Sequence, residues 1–203
     1  MNPYFRTPPV VKNLLIVNTL VWLAMAMIPS FKSLMYEYGV LYWVGSRFFH
    51  SYQFITYMFL HGSLEHLFFN MFALWMFGRT LEYELGSKRF LVYYMVCGIG
   101  AALLQMGVAA AAGEYYIQLL GASGAVMGLL LAFGVMHPNE VLIILPIPIP
   151  IKAKWFVIGY AVIELLLGWT GMQASGAHFA HVGGMLWGLA LLYYWKRRGT
   201  LRF

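Results

Sequence analysis

Ser123 stands at the head of one apolar run, GASGAVMG, and His181 at the head of another, AHVGGMLWG. A serine hydroxyl is a weak nucleophile until a neighbouring base takes its proton, and imidazole is the side chain best matched to that task near neutral pH. A third run, HGSLEHLFFN, carries His66 and Asn70 four residues apart and so on one helix face. Both side chains can donate to a developing oxyanion. So can the unpaired amides and positive dipole end of a helix that begins at Ser123. The chemistry within reach is acyl transfer, in which a serine attacks a carbonyl and an imidazole moves the proton.

These residues act together only if the elements carrying them bring them to one place. At 1.5 Å per helical residue, Ser123 lies about 21 Å from His137, His181 about 22 Å from Lys196 and His66 about 20 Å from Arg79, each at the far end of its own run. In a hydrocarbon core about 30 Å thick, that common depth is about 10 Å below one face. Polar groups so placed are costly unless they bond to one another or line water, which predicts a cavity open to that face. Glycines set the register. Gly184 and Gly188 follow His181 by three and seven residues, which predicts one face packed on Gly124 and Gly128 of the preceding serine helix. The small residues flanking Ser123, Gly121 and Gly124, leave room for a substrate backbone.

Composition calls for a bilayer around this arrangement. The 203 residues are 62% hydrophobic and 10% charged, too apolar for a soluble domain to cover with its own polar surface. Apolar runs near 11–29, 63–78, 89–112, 122–137, 153–171 and 178–195 predict an all-α membrane protein with six transmembrane helices in a single domain, 1–203. With the N-terminus inside, eleven Lys and Arg from Arg6 to Arg202 fall on the inner side, against Lys32 and Arg47 outside. This predicts cytoplasmic termini and an active site open to the outer side, and it explains the +6 charge by topology and lipid head groups without nucleic acid. The first run lacks a small-residue cleavage site and is expected to stay as a span. The lone Cys97 excludes an intrachain disulfide. Residues 30–62, rich in Tyr, Phe and Trp, are expected in the head-group layer, and PNEVLIILPIPIPIK as an extended reversal that its prolines keep from being helical.

The three motifs resemble those of the rhomboid family of intramembrane serine proteases, in order, spacing and helix placement. HGSLEHLFFNMFALWMFG is similar to that family's HxxxxHxxxN segment, GASGAVMG to its GxSGxxxG, and AHVGGMLWG to its AHxxGxxxG. The resemblance implies a compact six-helix prokaryotic rhomboid bundle in a bacterial plasma (inner) membrane. It implies Ser123 as nucleophile, His181 as general base and acid, and His66, Asn70 and the Ser123 amide as the oxyanion hole. His61 would be a structural residue of the outer loop and Gly184 a contact glycine. Expected partners are the lipid bilayer and transmembrane protein substrates with helix-breaking Gly or Pro near a cut at their outer end. No metal and no cofactor are expected. Some members carry a tyrosine four residues after the serine, where this chain has Met127.

The remaining polar residues have plainer readings. The chain contains no aspartate, so a Ser-His-Asp triad is excluded and a dyad expected. Glu65 adjoins His66 but faces elsewhere on the helix. His178 reads as a cavity-mouth or structural residue, and His50 and His137 as interfacial. Glu164, ten residues beyond Lys154 and so about 15 Å deep, is expected to be protonated or hydrogen-bonded against a neighbouring helix and to take no part in proton chemistry. Retention of both Ser123 and His181 argues against a catalytically dead escort protein. The apolar inner halves ALWMFG, LLLAFGV and LALLYYW argue against a transporter.

Overall fold

A computed structural model describes residues 6–144, 148–170 and 177–201. Helix α1 (Pro9–Met27) starts with proline at its first position, where a missing amide costs nothing. A side chain from elsewhere closes that end: Glu82 accepts from the amides of Val10 at 2.9 Å and Val11 at 2.7 Å. Pro29 then opens the short α2 (Pro29–Leu34), which runs into one π-helical turn (Met35–Gly39), strand β1 (Leu41–Tyr42), α3 (Gln53–Thr56) and a 3-10 turn (Tyr57–Phe59).

Five helices and three short strands follow. In α4 (Leu64–Leu85) Ser63 caps the first turn by accepting from the His66 amide. Gly86, with φ 77°, makes the sharp link to α5 (Ser87–Ala112). Strand β2 (Gln118–Leu119) pairs antiparallel with β1, Leu41 opposite Leu119, immediately before α6 (Ser123–Met136). The expected extended reversal is a hairpin of β3 (Val141–Ile144) and β4 (Ile149–Lys152), with Val141 opposite Lys152. Among the described residues of the hairpin, proline falls at 148 in the turn and at 150 in β4, which leaves the pairing possible. Helices α7 (Ala153–Thr170) and α8 (His178–Arg197) complete the chain.

Helix α6 is the hub. It touches α4, α5, α7 and α8, and nearly every side is buried, through Ala125, Val126, Leu129, Leu130 and Ala132 among others. Its 14 residues span about 21 Å, against about 33 Å for the 22 residues of α4 and about 39 Å for the 26 of α5. The outward surface is apolar: Phe68 and Phe69 are each 59% exposed and Trp169 89%. A soluble monomer does not carry such a surface, and three helices, α1, α5 and α7, are long and apolar enough to cross a membrane. Helices α4 and α8 fall at the remaining apolar runs with more polar residues, and α4 continues seven residues past the expected 78, to Leu85. The expected end of the fifth run at 171 and the charge at Arg202 lie outside the described residues.

Residues 30–62 fold against the bundle. Val40, Leu41, Tyr57, Met58 and Leu60 are buried. At their centre, fully buried Gln53 donates to the carbonyls of Tyr38 and Phe48 and accepts from the amides of Tyr42 and His50. A single amide side chain thus satisfies four backbone groups, which fixes the loop against the bundle.

Candidate active site

Ser123 is the first residue of α6, preceded by Ala122 with no side-chain cap, so the amides of the first turn have no intrahelical partner. The strand pair β1–β2 and a bond from the Gly121 amide to the Tyr57 carbonyl at 2.9 Å hold the approach to this helix. The Tyr57 hydroxyl in turn donates to the Gly98 carbonyl of α5 at 2.6 Å. Gly121 has φ 119°, a conformation that favours glycine, and a Cβ there would fall 2.6 Å from Cε1 of the His66 ring. His66 is thereby brought beside the serine helix.

His181 comes from the first turn of α8. Its Nε2 lies 2.9 Å from the Ser123 Oγ, hydrogen-bond distance across 58 residues of chain. What brings these helices together is the absence of side chains: a Cβ on Gly184 would run into the carbonyl of Gly124, backbone against backbone. The adjacent Gly183 does the same toward α5, where its Cβ would lie 3.0 Å from Ala101 Cα and 3.1 Å from the Gly100 carbonyl. The expectation for Gly188 is corrected. Added atoms there would meet Tyr93 and Cys97 of α5, because α8 packs on both α5 and α6 and four residues turn it about 40° past a full circle. Gly128 likewise packs against Cys97, with the Gly184 carbonyl 3.1 Å away. Gln105 of α5 was not singled out in the sequence. Its Oε1 accepts from the Ala180 amide at 3.1 Å and so caps the end of α8 that carries His181. A lone Gln in an apolar helix is the only signal that marked it.

Around this pair the other polar residues take distinct places. Asn70 is 5% exposed and donates to the His66 carbonyl one turn back at 2.9 Å, leaving its second amide hydrogen for another acceptor. His61 packs edge-on to His66, centroids 5.0 Å apart. It is 2% exposed, and burial, with His66 adding to it, depresses its pKa to about 4, so it stays neutral. Glu65 is exposed, as its helix position predicts. His137 pairs with Glu84 at 3.0 Å, far from the serine, and His50 stacks on Tyr52. Met127 is half-buried against the core. A pocket at the serine end is walled by Tyr42, Trp43, Phe48, Tyr115, Tyr116 and Gln118, beside the dyad and not around it.

Glu164 is hydrogen-bonded to a neighbouring helix, as expected: its Oε2 lies 2.7 Å from Nδ1 of His178 on α8, and the same oxygen is 3.0 Å from Nδ1 of His181. His178 is buried at 6% exposure and sits at the carboxylate, away from the serine. Glu164, His178 and His181 each present one ligand atom within 4.8 Å of the others, a spacing a divalent cation could use. A cation on Nδ1 of His181 would, however, leave the imidazole proton on Nε2, where it blocks acceptance from Ser123. The grouping therefore suits proton transfer better than metal catalysis.

Comparisons with known proteins show the family of this chain. The Rhomboid domain family model matches residues 49–198. The chain is 32% identical over 155 residues to the mitochondrial presenilin-associated rhomboid-like protein of Bos taurus, covering 70% of this chain and 39% of that protein. It is 28% identical over 193 residues to rhomboid protease GlpG of Salmonella choleraesuis, covering 93% and 63%. It is 32% identical over 138 residues to mitochondrial Rhomboid protein 1 of Saccharomyces cerevisiae, covering 68% and 39%. The match thus spans less than two thirds of these relatives' own lengths.

Proposed function

Because this chain belongs to the rhomboid family, we propose that it is an intramembrane serine endopeptidase whose nucleophile is Ser123 and whose general base and acid is His181. The 2.9 Å approach of Ser123 Oγ to His181 Nε2 carries the reading. The hydroxyl proton passes to Nε2 as the Oγ–C bond forms, and the carbonyl π pair moves onto oxygen. That oxyanion is met by the Ser123 amide at the head of α6, with His66 and Asn70 as side-chain donors. Collapse of the intermediate breaks the C–N bond, and Nε2 returns the proton to the leaving amine. Water, activated by the same imidazole, then hydrolyses the acyl-enzyme.

The position of Ser123 at the head of the short α6 supports a cut near one end of a substrate's transmembrane segment. A regular helix hides its carbonyls in hydrogen bonds, so substrates carry Gly or Pro near the scissile bond and a small residue before it. The reading includes six spans in one domain, a watered cavity over the dyad, cytoplasmic termini and a bacterial inner membrane with the site toward the outer side. No cofactor is needed. The test is labelling by a fluorophosphonate, which forms an Oγ–P bond with release of fluoride, together with cleavage of a model transmembrane substrate. Parent protein is labelled and active, and Ser123→Ala and His181→Ala are neither while remaining folded. Labelling that survives Ser123→Ala would place the nucleophile elsewhere.

A further inference from the structure

Glu164 stands out as a buried ionisable group with no part in the two-residue mechanism. Only Ala153, Val157 and Glu164 of α7 are buried, so the helix turns one narrow face to the bundle and spends part of it on a carboxyl. A carboxyl at that depth is costly unless it is paired, and a well-packed apolar side chain would hold α7 in place at less cost. Its side chain is 6% exposed, and its Oε2 meets Nδ1 of both His178 and His181. His178 Nδ1–H donates to it at 2.7 Å, which fixes the carboxylate.

For His181 Nε2 to accept from Ser123, the neutral ring must carry its proton on Nδ1. That is the nitrogen 3.0 Å from Glu164 Oε2. The contact lies off the straight line of a hydrogen bond, so a small rotation of the ring is needed to align it, as is common in catalytic groups without bound substrate. We propose that Glu164 is a positioning residue for His181. It holds the imidazole in the Nδ1–H tautomer with Nε2 toward the serine, and it balances the positive ring formed when the serine proton arrives. His178 serves as the anchor of the carboxylate. The absence of aspartate thus does not leave the histidine without an acid, since glutamate from α7 occupies that place.

The inference rests on the serine protease reading, and the experiment separates the two. Fluorophosphonate labelling rate, kcat and KM for a model substrate, and melting temperature are measured in EDTA for the parent, Ser123→Ala, Glu164→Gln and Glu164→Asp. Glu164→Gln keeps the shape and a bond to His178 but loses the charge. Its labelling rate and kcat should fall by roughly tenfold or more with KM within about twofold, and Glu164→Asp should recover part of the loss. A packing residue alone would shift melting and KM and leave the chemical step of the folded protein intact. Labelling of folded Glu164→Gln at the parental rate overturns the proposal. Should that variant not fold, Glu164→Ala with and without sodium formate decides: restoration by formate supports the carboxylate role, and identical rates refute it. Parent protein that is not labelled at Ser123 would overturn the protease reading itself.

Discussion

Glu82 and Glu164 are both buried, at 2% and 5% exposure, yet they sit at opposite ends of the bundle and have different kinds of partner. Glu82 accepts from two backbone amides of α1 and from the Ser87 hydroxyl at 2.6 Å, groups that neither gain nor lose a proton near neutral pH. Glu164 faces two imidazoles, which do. Burial alone therefore says little about what a carboxyl does. A carboxylate surrounded by fixed donors is a structural clasp, and one surrounded by titratable rings is available to chemistry. The serine end also collects His61, His66, His178 and His181, whereas the far end has the single pair of His137 with Glu84.

The sharpest way to break the contrast is to disturb the serine end without touching any polar group. Gly184→Leu pushes a side chain into the Gly124 carbonyl, and displacement by about 1 Å costs on the order of 100-fold in rate. Cleavage should fall to background with a lower melting temperature. Leucine at exposed Ala190 should leave both near parental values. At the far end, Glu82→Ala orphans two amides at about 1–3 kcal/mol each, so stability should drop by about 2–6 kcal/mol. Labelling rate per folded molecule should stay within about twofold, and a selective loss of rate would erase the distinction between the two glutamates. Gln105→Ala removes the cap on α8 and should cost about 1 kcal/mol with a modest fall in rate, read by melting and kcat together.

The smallest effect concerns pH. The folded-state pKa of His61 is held at about 4 by burial, below the roughly 6.5 of an unfolded histidine. The unfolded chain therefore binds more protons between these values. The contribution of His61 to stability is level above about 6.5 and declines as pH falls toward 4. Melting curves at pH 7 and pH 5 should show a loss that His61→Asn reduces. An unchanged loss would mean that other groups carry the acid sensitivity.

Sequence periodicity located the helices and the Ser123–His181 pair because glycine spacing reports which faces meet, and Gly184 meets Gly124 as that logic requires. Gly188 was misassigned because a helix wedged between two others gives successive glycines to different neighbours. The partner of Glu164 was hidden for a related reason: counting residues gives depth along a helix and says nothing of azimuth. Order in residues 30–62 depends on the four long-reaching bonds of Gln53, which no local pattern encodes. In PNEVLIILPIPIPIK the prolines forbade a helix, and the register of β3 on β4 came only with the fold.

The clasp at Glu82 also bears on how the protein is made. The amides of Val10 and Val11 donate their hydrogen bonds to a residue 72 and 71 positions later in the chain. At roughly 5 to 20 residues per second, the first helix waits about 4 to 14 s during synthesis for the group that closes its end. Until then those amides need water or head groups, which holds the start of α1 at the interface while α4 is still being translated. A change at Glu82 is therefore felt first by the ribosome-bound chain, as delayed assembly, before the finished protein exists.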